Sequence, residues 1–418
     1  MSYEQIHNFI NKKTIIKLIV LLVFSTQLIG LPECKLGIEN IPAWLVTEYT
    51  KPKPLRIGLI TNQTGRDQKG NRTVDILVKK GFTITYLFAP EHGFSGTIEA
   101  AKEVKDGYDV KTKIPIMSLY SHESGKKISP EILNTIDALF FDIQDSGMRH
   151  YTYISTLFSV LKAAGLEQKK VVVFDRPNPL GKAMEGPLVE PELISFISIA
   201  PIPLRHGMTV GELAEYFNRY LLDTKADLHI VPMKDYCRES ISCLIAPLSP
   251  NIASKESCLG YSFLGLLGEV KPFDVGVGTP HAFQLIALPE SLAVSVAVWQ
   301  QLAKELNILG ISTNGCRYLH DRKKEYYHGL RLKIDNISNL AAFKAFLATV
   351  QLIKKAGVSL DFAVNFDKAV GSKLVRFFFM GLIKDQELMQ EIKNGLQLFF
   401  QKAQTVFKYL PHPELVFN

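Results

Sequence analysis

The stretch Ala138-Leu139-Phe140-Phe141-Asp142-Ile143 runs straight into Gln144-Asp145-Ser146-Gly147. A nearly unbroken apolar run of strand length, without polar alternation, marks a strand buried on both faces, as in a parallel sheet covered by helices. The polar cluster directly behind it falls where such sheets bind ligands, outside the carboxyl ends of their strands. Working outward, the same unit recurs. Residues 56–61 and 82–89 read as strands, separated by a helix over 72–80 that Asn71 caps and Gly81 ends. Residues 114–119 read as another strand, and Ser129-Pro130 opens a helix in the favoured order of cap and then N1 proline. Residues 153–164 form a helix closed by Gly165, 171–174 and 199–204 are further strands, and Thr209-Val210-Gly211-Glu212 is a capping box for a helix to about residue 222. The alternation predicts an α/β fold, a Rossmann-like doubly wound and mostly parallel sheet over residues 34–240. Beyond it lie the proline-marked loop 247–250, a glycine-rich apolar stretch over 260–278, and helical patterns at 294–306, 340–355 and 386–407. Residues 241–418 therefore read as a second, smaller α+β domain that completes the cleft.

Composition fits this reading. The 418 residues are 47% hydrophobic and 21% charged, which excludes a mainly disordered chain. Lys+Arg 48 against Asp+Glu 41 gives +7, a mild excess. The basic residues are scattered without a run of five, which argues against a nucleic-acid partner. Residues 1–30 differ from the rest: Lys12, Lys13 and Lys17 precede an apolar run over 18–24, the pattern of an export signal or, if uncleaved, an N-terminal anchor. Export to the periplasm or cell envelope is expected, with membrane contact only through an uncleaved segment. The five cysteines form no CxxC pair, so no thiolate zinc site is expected. Cys237 and Cys243 are the nearest pair for a disulfide, and buried free thiols are the favoured alternative.

Five strand ends each carry polar residues: Asn62 and Gln63; Glu91 and His92; Asp142, Gln144 and Asp145; Asp175, Arg176 and Asn178; Arg205 and His206. Singly, each is as well explained as a turn or cap residue; together they form a converging rim. The chemistry of that rim is narrow. No glycine-rich phosphate loop exists, because Gly276-Val277-Gly278 lacks the third glycine and the strand-to-helix setting. Gly93-Phe94-Ser95-Gly96 is not an esterase elbow, and Glu91, His92 and Asp142 lack the spacing of a helical zinc site. No metal or cofactor is expected. What remains is carboxylates, arginines and aromatics, with Glu185, Arg149, Tyr151 and Tyr153 joining the rim. Carboxylates supply general acid and base, aromatic rings stack on sugars, and arginines grip carboxylates. That inventory suits an acidic sugar.

The motifs Thr61-Asn62-Gln63-Thr64-Gly65, Pro90-Glu91-His92-Gly93, residues 142–153, Asp175-Arg176-Pro177-Asn178-Pro179, Glu185-Gly186-Pro187 and Pro203-Leu204-Arg205-His206-Gly207 stand in order. In this the chain resembles a bacterial family long labelled only as a domain of unknown function, whose characterised members are exo-β-N-acetylmuramidases of glycoside hydrolase family 171. The resemblance runs from Cys34 onward and is densest up to Gly211. It implies release of N-acetylmuramic acid from the non-reducing ends of peptidoglycan fragments, with Glu91 at the family's catalytic glutamate. His92, Asp142 and Asp145 join it as catalytic candidates, either aspartate being placed to assist Glu91 or orient a water. Asn62, Gln63, Arg149, Tyr151, Tyr153, Asp175, Arg176, Asn178, Glu185, Arg205 and His206 are then the expected sugar-binding set. One of Arg149, Arg176 and Arg205 would grip the lactyl carboxylate. The chain departs from the family after Cys258: a glutamate there becomes Tyr261, and a polar, arginine-bearing loop is shortened and lost. The departure leaves two readings: a glycosidase, or a catalytically impaired relative that binds cell-wall sugars without cleaving them.

Overall fold

Burial of both faces selects the central strands, and a computed structural model places them at the middle of the main sheet. It describes residues 34–121, 124–239, 244 and 246–417. The N-terminal segment 1–30 and Cys243 lie outside these residues. Seven strands make the sheet: β1 (Arg56–Thr61), β2 (Thr83–Ala89), β3 (Gly107–Tyr108), β4 (Pro115–Ser118), β5 (Ala138–Asp142), β6 (Lys170–Phe174) and β7 (Asp227–Val231). Their order is β7-β6-β5-β1-β2-β4-β3. All neighbours pair in parallel except β3 on β4. The chain thus winds one way from β1 through β2 and the other way through β5, β6 and β7. The reversal lies between β1 and β5, where Thr61 pairs with Asp142. A crevice at such a switch point is the default ligand site of this fold.

β5 is buried at every position, as its apolar run requires. Helices α1 (Thr73–Lys79), α2 (Tyr153–Leu166) and α3 (Val210–Tyr216) lie between the strands in sequence. The capping box of α3 forms as read: the Thr209 hydroxyl accepts from the Glu212 amide, and the Glu212 carboxylate accepts from the Thr209 amide. Three expectations change. Asn71 does not cap α1, because its amide and side chain bond Asp67 instead. Gly165 does not end α2 but lies inside it, where a Cβ would meet the Thr224 carbonyl at 2.3 Å. Residues 199–204 are not a sheet strand; the next strand is β7, and the chain before it ties Arg205 to Met148 and Glu185 by isolated bridges.

The glycine-rich stretch after residue 255 contains a helix, α4 (Lys255–Leu267). Its glycines serve close approach: a Cβ on Gly260 would overlap the Phe283 carbonyl, and one on Gly265 would stand 2.6 Å from His150 Nε2. Strands β8 (Leu285–Pro289), β9 (Ser312–His320) and β10 (Glu325–Lys333) form an antiparallel sheet in the order β8-β10-β9. Helices α5 (Val296–Ile308), α6 (Ala342–Lys355), α7 (Lys373–Met380) and α8 (Asp385–Ala403) complete this part. Residues from both parts share one apolar core, and Lys35–Asn418 pack as one unit. No helix among the described residues is long and apolar enough to cross a membrane.

Candidate active site

The rim forms, but much of it holds the scaffold together. Asp142 and Arg176 are both fully buried, and Arg176 Nη2 reaches Asp142 Oδ2 at 2.8 Å beside a second contact of 2.5 Å from Nε. The Thr73 hydroxyl also bonds this carboxylate. Asp142 thus anchors α1 and the loop after β6 to β5.

The other two arginines are equally occupied. Arg149 donates to the carbonyls of Pro187, Ile202 and Val370 and to the Ser198 hydroxyl. Arg205 pairs with Glu185 at 2.6 Å and donates to the carbonyls of Leu180 and Leu340. Glu185 in turn accepts from the Ala342 and Phe343 amides at the start of α6, an anionic cap on a helix N-terminus. Asp175 accepts from the amides of Arg176 and Gly211 and from the hydroxyls of Thr209 and Tyr409. Burial, with Glu212 adding its charge, raises the Asp175 carboxyl to about 6. Asn178 bonds Met208 O and the Leu180 amide. Asp142, Asp175 and Arg176 stand at strand ends, as the sequence implied, whereas Arg205 follows no sheet strand; most polar atoms of the group are bonded to protein, with Arg176 Nη1 and Arg205 Nε left buried without a partner.

A smaller group keeps unused capacity. Glu91, 8% exposed, is held from two sides: the Thr152 hydroxyl donates to Oε2 at 2.6 Å and the Ala101 amide to Oε1 at 3.1 Å. Thr152 is the N-cap of α2, but its hydroxyl serves Glu91 rather than the helix. Each carboxylate oxygen retains a further lone pair for a ligand. His92 follows with φ of 69°, a left-handed turn that swings its ring back onto the loop. Its Nδ1 lies 2.7 Å from the Ile98 carbonyl, which can only accept, so Nδ1 carries the proton.

Asp145 accepts from the Gly147 amide at 2.7 Å and faces His206 Nε2 at 3.2 Å, all through Oδ2. His206 Nδ1 accepts from the Met208 amide, so Nε2–H donates to the aspartate. Asp145 Oδ1 is buried with no partner, as are Asn62 Nδ2, Gln63 Oε1, Gln144 Oε1 and both nitrogens of His150. Orphaned polar atoms gathered at one sheet end mark a place for a polar ligand. Asp142 accepts through both oxygens, whereas Asp145 has one oxygen without a partner.

An aromatic wall faces these groups. The hydroxyls of Tyr151 and Tyr153 and the Gln63 side-chain amide all donate to the Leu248 carbonyl, at 3.0, 3.2 and 2.7 Å. That carbonyl had no signature in sequence. The Tyr261 ring, on α4, lies 4.8 Å from His150, 5.9 Å from Tyr151 and 4.9 Å from Phe283. Burial, reinforced by the charges of Glu91, Glu269 and Asp145, raises the Tyr261 phenol far above its usual range. It is a neutral donor close to two carboxylates. Burial, with Arg149 adding to it, pushes His150 down to about 3, so its ring is neutral. Thr152 and His150 lay within a motif recognised in sequence, but the fold alone gives them these positions.

A carboxylate held at a strand end, a second whose charge reaches the same tyrosine, and the tyrosines around them make a glycosidase-type centre on a doubly wound sheet. Comparison with known proteins gives the family. The N-terminal model of the exo-beta-N-acetylmuramidase NamZ matches residues 57–256, and its C-terminal model matches residues 259–409. The chain belongs to this family. It is 34% identical over 395 residues to the peptidoglycan beta-N-acetylmuramidase NamZ of Bacillus subtilis strain 168, covering 91% of each chain. Two crystal structures of DUF1343 family proteins from Bacteroides fragilis NCTC 9343 are similar. One has a TM-score of 0.80 at 30% identity and the other 0.69 at 25%, each match spanning 90% of this chain and 99% of the other.

Proposed function

We propose that this chain is an exo-acting glycoside hydrolase that releases N-acetylmuramic acid from the non-reducing ends of peptidoglycan fragments, with Glu91 as general acid. The observation that carries the assignment is the setting of Glu91. It is nearly buried, oriented by the Thr152 hydroxyl and the Ala101 amide, and within electrostatic reach of the Tyr261 phenol. A group that protonates a leaving oxygen needs that fixed aim and partial exclusion of water. Asp145, with its unpartnered Oδ1, is the carboxylate that assists it. Tyr151, Tyr153 and Tyr261 supply the apolar faces against which a pyranose packs. Export to the periplasm or cell envelope suits this substrate, and the lysine-flanked apolar run of residues 1–30 supports it.

The replacement at Tyr261 favours a second reading, a protein that binds muramic sugars without cleaving them. A synthetic aryl β-N-acetylmuramide separates the two. The hydrolase reading expects release of the aryl group by the purified protein; saturable binding with no release would leave only the binder.

A further inference from the structure

β7 ends the seven-stranded sheet, so one side of it pairs with no strand. In a strand the N–H and C=O of one residue point to one side and those of the next to the other. The Val231 carbonyl accepts from Asp175, directly after β6, so Asp227, His229 and Val231 turn their backbone groups inward and the alternate residues turn theirs outward. The outward groups are met at both ends. The Asn218 side chain pairs with Ala226, its Nδ2 donating to the carbonyl at 3.0 Å and its Oδ1 accepting from the amide at 2.9 Å. Asn40 Nδ2 donates to the Pro232 carbonyl at 3.0 Å, and Lys35 and Lys234 exchange two backbone bonds. Between these ends, the backbone groups of Leu228 and Ile230 have no partner among the described residues. Both residues line a cleft of about 520 Å³. Its wall is one π-helical turn, Phe217–Leu221, that continues α3; such turns are rare and concentrate at functional sites. Arg219 on that turn, Lys225 before β7 and Lys408 after α8 bring three cations to the cleft, and Glu215 is the one carboxylate lining it. Arg219 and Lys408 share Glu215, at 2.8 and 2.6 Å, while Lys225 donates to the Leu222 carbonyl and has no carboxylate partner among the described residues. By strand alternation Asp227 projects from the other face with His229, whose ring meets Trp44 at 4.6 Å. The cleft thus sets an excess of positive charge over an open peptide edge.

We propose that this cleft binds an extended acidic segment of a partner protein, which adds to β7 as an eighth strand of the sheet. The added strand completes the ladder at Leu228 and Ile230, and its carboxylates neutralise Arg219, Lys225 and Lys408. Only a peptide backbone offers both donors and acceptors at the spacing of that edge, so the floor of the cleft favours a protein segment over other anionic polymers. Charge selects this occupant over two others. A second copy pairing edge to edge would set two basic clefts against each other. The chain's own residues 1–30 carry Lys12, Lys13 and Lys17, the same sign as the cleft. β7 lies three strands from β1, so the cleft is separate from the site around Glu91.

Fluorescence anisotropy with three labelled octapeptides tests this. One alternates glutamate and valine, one alternates lysine and valine, and the third is the glutamate peptide N-methylated at every residue, which keeps the charge but has no N–H for a ladder. Wild type should bind the first roughly tenfold or more tightly than the other two, and less tightly as salt rises. Arg219→Glu and Lys408→Glu should each weaken that binding by roughly three- to tenfold. Both substitutions leave the β7 backbone and Asn218 in place, and thermal melts would check folding. Absence of binding to the glutamate peptide would overturn the proposal and leave the cations as guards of a bare edge. Equal binding of the N-methylated peptide would overturn it too, because charge alone would then be read. So would unchanged affinity in both variants, tight binding of the lysine peptide, or a wild-type dimer in sedimentation that Arg219→Glu abolishes.

Discussion

Tyr261 stands where the resemblance to the family implies a glutamate, and its surroundings say what a tyrosine does there. Its ring closes against His150, Tyr151 and Phe283, and its hydroxyl is a neutral donor near Glu91 and Asp145. A glutamate at the same place would add a third carboxylate to the pair. Tyr261→Phe keeps the ring contacts and removes a hydroxyl that can donate one neutral hydrogen bond to a bound sugar, so kcat/KM on an aryl muramide should fall by roughly two- to tenfold. Tyr261→Ala also removes the wall and should cost more. Wild-type turnover in the alanine variant would show that this residue has no part in the site. Much of the rim was legible as residue types, since carboxylates and arginines at strand ends can be counted in sequence. Their partners were not. Nothing in the order of letters distinguishes Asp142, paired on both oxygens with Arg176, from Asp145, which keeps one oxygen free.

At the scale of elements, sequence was read best where local chemistry decides. The β5 run and the capping box of α3 depend on burial and on neighbours three residues apart, and both form as expected. Gly165 and the glycines of α4 were misread or missed because their reason is a distant group: the Thr224 carbonyl for one, the Phe283 carbonyl and the His150 ring for the others. The turn between β3 and β4 is tied to the start of α1 by an ion pair that sequence did not suggest. Asp109, 5% exposed, accepts from Arg72 and from the hydroxyl and amide of Thr112. Burial works against its ionisation, but these donors outweigh it and lower the carboxyl to about 2. A depressed carboxyl contributes stability that is complete above its unfolded value, near 3.8, and is lost as pH falls through about 2. The contribution is about 2 kcal/mol. Chemical denaturation at pH 7 and at pH 2.5 should therefore show a smaller acid loss in Asp109→Asn than in wild type; identical pH dependence would contradict the pairing.

Across the whole molecule, the sheet is joined to the later helices by buried charge. Glu185 and Arg205 are nearly inaccessible, and together they bond the first amides of α6 and the carbonyl of Leu340. Removing one partner strands the other in a low-dielectric interior. Glu185→Ala should cost about 3–5 kcal/mol, read as a lower urea midpoint, while adding Arg205→Met should restore part of that loss. A loss below about 1 kcal/mol would mean that the pair is solvated and does not join the parts. The sequence suggested a cleft completed by the second part, and α4 does bring Tyr261 to the rim. It could not suggest that one core would run through both parts. That continuity depends on which apolar faces meet, and periodicity within single helices carries no record of it.

The central claim is that Glu91 delivers a proton to the leaving oxygen. The most direct measurement is turnover by wild type and Glu91→Gln on two substrates, an N-acetylmuramyl disaccharide and an activated aryl muramide, with folding checked by thermal melt. The glutamine keeps shape and hydrogen bonding but has no proton to give. Turnover of the disaccharide should fall by about 10²–10⁴-fold, and that of the aryl substrate by less, because its leaving group needs little protonation. Equal turnover by both proteins on the disaccharide would remove Glu91 from the mechanism.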